Sequence, residues 1–388
     1  MAKKRKVSFE IDEILPYFDA LEDPRSTINR LHPLVSVVVI SLMAVLAGAS
    51  GPTAIARWAN MKEELLLKLL ALPNGIPQKD VYRRVLSLLK PEAFQACFTA
   101  WLSSLRAKAA ETGGVEQPIL AVDGKTLRRS HDAKNGLGPL HSVGIWATEL
   151  GLSLGQKATQ EKSNEITAIP ELLRQVDIRG AIITIDAMGT QTAIAKQIVD
   201  QGADYVLALK GNQESTLQEV SDQIDRMVEN DFADVGARRY TTKEKGHGRE
   251  EERLYVQLPA PTDLPALRRW AGLKTIGIAV STCLRAGKHT TELRYYLSSL
   301  EMGVKNFARA VRGHWGIENS CHWTLDFTYR EDESRIRDKH VRENFAWLNR
   351  FTLSLLKQHP DKNSIVMKRR SCGWSDHFLT QVVTGATV

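Results

Sequence analysis

The sequence predicts an α/β protein: a mixed-sheet core that carries a β-rich insertion and follows an all-helical amino-terminal region. Three observations predict it. Residues 119–122 form a short apolar run that ends on Asp123 and small residues, and 181–185 repeat that logic and end on Asp186. Apolar runs of this length with β-branched enrichment read as strands buried on both faces. The stretch from 117 alternates strand-like and helix-like segments, which favours parallel pairing through helical crossovers. Finally, the composition changes near 117 and again near 212, which marks off three regions.

The bulk properties set the limits. The chain has 388 residues, 43% of them hydrophobic and 25% charged, as in an ordinary soluble protein of two or three domains. Its net charge of +7 favours a polyanionic partner, of which nucleic acid is the commonest; simple colloidal charge is the alternative. Cys97, Cys283, Cys321 and Cys372 are scattered with no C-x-x-C pair, so reduced intracellular thiols are expected rather than a zinc knuckle or disulfide framework. The longest apolar stretch, 34–48, is too short for a comfortable membrane span and starts too late for a signal peptide. It reads as a buried helix, and no membrane partner is expected. The basic run at 3–7 resembles a nuclear import signal, but reads better as a solvated arm able to touch phosphates or as an addition to the chain.

Residues 1–112 read as a helical domain for DNA binding or assembly. Helical spacing covers 9–21 and stops at Asp23-Pro24; His32-Pro33 opens the apolar helix, and another helix follows Pro52 over 53–72. Residues 72–77 (Leu-Pro-Asn-Gly-Ile-Pro) are a loop, and two helices begin near 80 and at Pro91, a first-turn proline. The amphipathic segment 78–89, with Lys79, Arg83 and Arg84, is either a recognition helix or a solvated face. Residues 111–114 have linker composition.

The first part of the core is expected over 117–211. Its strands are 118–126, 141–148 and 152–159, the last two joined by a hairpin-type turn at 149–151; then come helix 165–176, strand 181–187, helix 190–201 capped by Gly202, and strand 204–210. After a helix at 213–229, alternating patterns at 238–259 and 275–300, with tips at 246–248 and 286–288, mark 212–302 as the insertion. Residues 303–388 return to helices. A long one starts at 305 and runs through Trp315, Glu318 and His322, another covers 342–358, and a short apolar helix ends the chain near 383.

The candidate chemistry sits on three acids. His314, Glu318 and His322 are spaced i, i+4, i+8 and share one helix face. A helix carboxylate facing Asp123 and Asp186 at strand ends makes an oxygen-ligand site suited to Mg²⁺ or Mn²⁺, and two such ions bridged by one Asp activate a water and stabilise the leaving oxygen of a phosphodiester. Three alternatives stay open: Glu318 caps or pairs with Arg312; His314, Glu318 and His322 bind zinc, although H-E-x-x-H is absent; or Asp326, Glu331, Asp332 or Glu333 supplies the third ligand in place of Glu318. Candidate DNA contacts are Lys125, Arg128 and Arg129 after the first acid, Lys210, Asn212 and Gln213 after the fifth strand, and His247 and Arg249 at a hairpin tip. Trp315 or Trp270 is a candidate for stacking on an unpaired base. For each of these, packing or a solvated surface is the competing reading.

Several strings in one order carry a resemblance. They are Leu72-Pro73-Asn74-Gly75-Ile76-Pro77, Ala121-Val122-Asp123-Gly124-Lys125, Ile185-Asp186-Ala187-Met188-Gly189, Leu209-Lys210-Gly211-Asn212-Gln213, Gly246-His247-Gly248-Arg249 and His314-Trp315-Gly316-Ile317-Glu318-Asn319. Over nearly its whole length the chain resembles the H-repeat-associated insertion-sequence transposases, of the Asp-Asp-Glu class with a ribonuclease H-like core. The resemblance implies that Asp123, Asp186 and Glu318 are a catalytic triad binding two Mg²⁺ (or Mn²⁺) ions, with a β-rich insertion before the third acid. It implies cleavage at element ends and strand transfer into target DNA, by a homodimer on double-stranded DNA in the bacterial cytoplasm. A DNA-binding descendant without catalysis and a nuclease without strand transfer are the alternatives. The related group with β insertions carries Tyr-x2-Arg-x3-Glu-x6-Lys around its Glu; here Val311, His314, Glu318 and Leu325 stand in those places, so only the Glu matches. The phosphate-gripping tasks then fall to His314, Arg312 or His322.

Overall fold

The computed structural model describes residues 15–28, 30–111, 117–159, 165–229, 236–246 and 248–384. The basic run at 3–7, the first turns of the helix expected from residue 9, most of the 111–114 linker and His247 lie outside them.

The amino-terminal region is helical. Helix α1 (Leu34–Leu46) is apolar all round, and every residue but Val35 is buried. A helix without a polar face must be wrapped on all sides. It is packed by α2 (Pro52–Met61) and by helices from the far end of the chain. The expected helix over 53–72 is two: α2 ends at Lys62, whose φ of −115° leaves the helical region, and α3 (Glu63–Leu69) comes after it. Then come α4 (Lys79–Leu88) and α5 (Pro91–Glu111). Phe98 and Trp101 of α5 meet Phe351, with ring centroids 4.2 and 4.7 Å away. Aromatic pairs at this distance contribute beyond their buried area, and here they join the two ends of the chain.

Among the described residues, nine strands form one sheet in the order β3-β2-β1-β4-β5-β9-β8-β7-β6. Strands β1 (Ile119–Leu127), β2 (Leu140–Ala147) and β3 (Leu152–Thr159) are an antiparallel meander. The turn before β3 holds Gly151 at φ 68°, where an L side chain is strained. Helix α6 (Glu165–Gln175) crosses to β4 (Ile182–Ile185), and α7 (Thr192–Asp200) to β5 (Asp204–Leu209); both strands run parallel to β1. Gly202 ends α7 with φ 74°, as a left-handed cap should.

After α8 (Glu214–Glu229), the β-rich stretch builds β6 (Arg238–Gly246), β7 (Arg249–Pro259), β8 (Thr275–Arg285) and β9 (Lys288–Ser298). These strands extend the core sheet, because β9 pairs antiparallel with β5 from Val206↔Ser298 to Leu209↔Tyr295. The inner ends of β7, β8 and β9 are buried, and their outer ends, including most of 281–293, are not; the edge strand β6 is exposed or half-buried throughout. The β8–β9 tip is Ala286-Gly287, both at positive φ. Trp270, a candidate for stacking on DNA, is 3% exposed and its indole N–H donates to Thr216; it is a core residue, because the short helix just before it, Pro265–Arg268, packs against α8.

Helix α9 (Val304–Gly316) lies across β1 and β4. The expected single helix through 322 is interrupted: Ile317–His322 is a π-helical turn, and α10 (Trp323–Phe327) resumes after it. A π turn holds one residue more than an α turn and re-aims the next side chains along the helix; such turns recur at functional sites. The long α11 (Lys339–Gln358), α12 (Ile365–Trp374) and α13 (Asp376–Thr384) close the fold against α1.

Candidate active site

The site begins with strand register. Strands β1 and β4 are parallel neighbours, and their last paired residues are Val122 and Ile185. The next residue on each is an acid, so Asp123 and Asp186 stand at the same level of two neighbouring strands. Paired residues of adjacent strands share a face. Asp123 and Asp186 therefore point to the side that α9 covers, while Val122 and Ile185 enter the core on the other side.

Helix α9 reaches that face because its contact residues are glycines. A Cβ on Gly313 would sit 2.7 Å from Ile119 Cδ1, and one on Gly316 would sit 2.3 Å from Thr148 Cγ2. Thr148 Oγ1 also donates to the Gly313 carbonyl at 2.9 Å. The close approach sets the π turn directly over β1. There, one carboxylate oxygen each from Asp123 and Glu318 and a ring nitrogen of His322 lie within 4.8 Å of one another. His322 Nδ1 is 3.1 Å from Glu318 Oε2 and 3.6 Å from Asp123 Oδ2. Asp186 stands outside this tightest group but lines the same cleft of about 690 Å³, with Asp123, Glu318, His314 and Lys210.

The electrostatics arise from the crowding. Burial, and then the charge of Asp186, push the Asp123 carboxyl up to about 7; Glu318 and Glu165 add to this, and the Gly124 N–H opposes it. Glu318 is held below the usual range by its hydrogen bond with His322, against partial burial, and by the nearby Lys125. Burial lowers His322, which is 5% exposed. Burial brings His314 down to about 4, so it is neutral at pH 7, with Nδ1 3.1 Å from Thr184 Oγ1. His314 lines the cleft, and with Nδ1 engaged by Thr184 it would meet a phosphate as a neutral Nε2–H donor rather than as a cation.

This donor set fits a hard divalent cation. Three carboxylates converge on one cleft, and their mutual repulsion raises Asp123; a doubly charged ion removes that repulsion. His314 is not part of the tight group, so an imidazole–carboxylate–imidazole zinc site along the helix face is not formed; the π turn and the Thr184 bond take the two histidines apart.

The other candidates separate clearly. Lys125, 6% exposed in its side chain, places Nζ 2.5 Å from Asp326 Oδ1 and 3.8 Å from Asp332 Oδ1. Arg128 is exposed and 3.5 Å from Asp332, and Arg129 is exposed beside it. Glu331 is fully buried against Arg350 and Asn349, and Glu333 pairs with Arg330. The acid cluster after Glu318 is thus engaged with cations. Lys210 is exposed at the cleft, Asn212 donates to the Ala187 carbonyl at 2.6 Å, and Gln213 donates to the Thr190 carbonyl. Both amides brace the loop after Asp186. Arg249 pairs with Glu251 and Arg312 with Glu244, on the insertion side; Arg312 does not pair with Glu318. Trp315 lines the cleft beneath the Arg294 guanidinium, 4.3 Å from its ring centroid.

Two features escaped the sequence. Beneath Gly124, His141 Nε2 meets Glu165 Oε1 at 2.7 Å, and His141 Nδ1 meets Thr126 Oγ1 at 2.7 Å. A Cβ at 124 would be 2.3 Å from Glu165 Oε1, so glycine next to Asp123 makes room for this buried pair. The only signal was the Asp-Gly step at a strand interior. Arg294 was the second, hidden in an alternating strand.

Comparison with known proteins agrees with this geometry. Residues 115–356 match the family described as "Transposase DDE domain", and residues 15–102 match "DDE_Tnp_1-associated". The chain is 34% identical over 383 residues to "H repeat-associated putative transposase YhhI" of Escherichia coli (strain K12), covering 97% of this chain and 99% of that one. It is 35% identical over 382 residues to "Putative transposase YncI" of Escherichia coli O157:H7, covering 97% and 96%. A piggyBac transposase synaptic complex with hairpin DNA aligns at a TM-score of 0.41 and 9% identity, over 100% of this chain and 84% of that one, a slight likeness. All three acids of the cleft lie inside the longer match, and the relatives run the length of the chain, so this protein belongs to the DDE transposase family.

Proposed function

We propose that the chain is a metal-dependent DNA transposase with a ribonuclease H-like core, which cleaves at the ends of an insertion element and joins the freed end to target DNA. The observation that carries this is the register of β1 and β4, which sets Asp123 beside Asp186 under the Glu318 of the π turn. Asp123, Asp186 and Glu318 would hold the Mg²⁺ (or Mn²⁺) ions, two by the family resemblance. When bound, such ions supply Lewis-acid activation of water and charge neutralisation at a phosphodiester.

The chain's own residues do the rest. His322 fixes the orientation of Glu318 through its hydrogen bond, and its burial disfavours the charged imidazolium. The His322 hydrogen bond, with help from the charge of Lys125, lowers the carboxylate pKa of Glu318 and keeps it ready as a ligand. Gln213 and Asn212 hold the Asp186 loop rigid. Hydrolysis breaks the bond between phosphorus and the 3′ oxygen and leaves a 3′-hydroxyl. That hydroxyl then attacks a phosphodiester of the target and expels its 3′ oxygen, with no external energy source. Positioning and charge stabilisation are the protein's contribution. Two element ends must be brought together, and a homodimer on double-stranded DNA does so.

The test is Mg²⁺-dependent cleavage of duplex DNA cloned from the two flanks of this coding sequence, with Asp123→Asn, Asp186→Asn and Glu318→Gln beside wild type. Loss of cutting in all three with DNA binding retained supports the reading. A wild type that binds these ends but never cuts with Mg²⁺ or Mn²⁺ overturns it and leaves a DNA-binding protein. Cutting without joining of 3′-hydroxyl ends reduces it to a nuclease.

A further inference from the structure

We propose that Arg294, on β9, forms with Trp315 a phosphodiester-binding subsite at the edge of the acid cleft. This rests on the transposase reading and deepens it. The lysine and arginine side chains on the cleft wall, among the described residues, are Lys210 and Arg294. Lys210 is exposed to solvent. Arg294 is held. Its guanidinium lies over the Trp315 ring at 4.3 Å, and its Nε and Nη2 reach Glu292 Oε1 at 2.9 and 2.8 Å. Trp315 stands on the last turn of α9, three residues before Glu318. Strand β9 thus delivers a fixed cation to the wall of the cavity that holds Asp123, Asp186 and Glu318.

The chemistry suits a backbone phosphate. A stacked guanidinium has little freedom left to lose, and its planar fork matches two phosphate oxygens. Arginine carries five N–H donors; Glu292 engages two positions and the Tyr296 hydroxyl another, which still leaves donors for a ligand. The Glu292 side chain is 59% exposed, and an ion pair of this kind is worth little in water. Exchanging part of it for a phosphodiester costs correspondingly little. Arg294 and Trp315 also line the adjoining cleft of about 240 Å³, walled by Arg249, Arg253 and Arg312, which pair with Glu251 and Glu244. A DNA strand leaving the acids toward the insertion meets Arg294 first and those arginines next. In this way the insertion takes part in binding the strand next to the bond that is cut.

The experiment compares wild type, Arg294→Ala and Arg294→Lys on the flank-derived duplex with Mg²⁺. Single neutral methylphosphonates are walked through the phosphates on either side of the cut. In wild type one phosphate is expected to slow cleavage by roughly 10- to 100-fold when neutralised, the worth of a charge-assisted contact. Arg294→Ala is expected to lose a similar factor on unmodified DNA and to be indifferent to neutralisation at that phosphate. Arg294→Lys should fall between, because charge is kept and the stacked fork is not. If Arg294→Ala cuts at the wild-type rate, the subsite is overturned. It is also overturned if that variant is slow yet keeps the wild-type sensitivity at every phosphate, since Arg294 then acts only through the fold. A wild type that does not cut overturns the transposase reading, and the subsite with it, a result distinct from an active wild type matched by its variant.

Discussion

His322 Nδ1 sits 3.1 Å from Glu318 Oε2 within a single π turn, and 3.6 Å from Asp123 Oδ2 on the strand below. Both partners are acceptors when ionised, so the ring nitrogen between them carries the proton. One imidazole thereby lies between the helix acid and the strand acid, bonded to the first and close to the second. A helix that ran straight through would carry no extra residue here, and Glu318 would be aimed differently over β1.

The raised carboxyl of Asp123 predicts a pH-dependent metal affinity. With its pKa up at about 7, Asp123 is largely protonated at pH 6 and must release that proton to bind a cation. Mg²⁺ affinity should rise as pH goes from 6 to 8, and calorimetry in buffers of different ionisation enthalpy should show proton release that fades above pH 8. Asp123→Asn should abolish both. The same shift acts on metal-free stability. The folded pKa lies above the unfolded value of 3.8, so the folded state binds the extra proton between about pH 4 and 7. Stability should therefore fall as pH rises through that window and level off above it. Asp123→Asn should flatten the curve and stabilise the metal-free protein at pH 8, by at most about 4 kcal/mol.

Gly316 predicts a substitution whose sign is reversed by packing. In an exposed helix, Gly→Ala gains about 1 kcal/mol. Here the new Cβ would lie 2.3 Å from Thr148 Cγ2, so α9 must shift off β1. Gly316→Ala should lower stability by about 1–3 kcal/mol, as overpacking does. It should also cost DNA cleavage more than this loss explains, because Glu318 moves with the helix. Adding Thr148→Ser removes the clashing methyl and keeps the hydroxyl that bonds the Gly313 carbonyl. Partial rescue of both melting temperature and cleavage by the double variant would establish the contact; no rescue would refute it.

Asp326 and Glu318 make opposite predictions. Asp326 Oδ1 is 2.5 Å from Lys125 Nζ, whereas Glu318 shares the tight group with Asp123 and His322. Glu318→Gln should therefore weaken Mn²⁺ binding at least tenfold, read by equilibrium titration. Asp326→Asn should leave it within about threefold, and should loosen Lys125 and lower the melting temperature slightly. Equal losses in both variants would return Asp326 to consideration as a ligand.

How much was legible in the sequence depended on whether the signal was local. Asp123 and Asp186 stood out because each ends an apolar run, a pattern contained within a few residues. Helix α1 was readable for the same reason, since an all-apolar helix has no solvent face. The pairing of β1 with β4, which makes the two acids one site, depends on residues about sixty apart and had only the βα rhythm to suggest it. The π turn had no signal: spacing of 314, 318 and 322 suggested one face, and the structure keeps 318 with 322 and gives His314 to Thr184. Nor did the β-rich stretch announce that β9 would pair with β5, since an alternating pattern marks a strand but not its neighbour. The His141–Glu165 pair under Gly124 was invisible because its members come from a strand and a helix 24 residues apart.

Glu331 shows why acidity near a site is not enough. It stands among Asp326, Asp332 and Glu333, and in sequence it is as good a ligand as any of them. In the fold its side chain is 0% exposed, 3.3 Å from Arg350 Nη1 and 3.2 Å from Asn349 Nδ2. Arg350 in turn bonds the Ala346 carbonyl and approaches Ser142 on β2. The pair thus ties the turn after α10 to α11 and to the meander. Removing one member of a buried pair strands the other charge, which costs about 3–5 kcal/mol. Glu331→Gln, which cannot satisfy the guanidinium charge, should lower stability by roughly that amount in denaturant titration, with metal affinity unchanged in the protein that remains folded. Replacing both, Glu331→Gln with Arg350→Met, removes the stranded charge and should recover much of the loss. A double variant as unstable as the sum of its singles would mean that the two groups act independently, and that the pair is not what joins these elements.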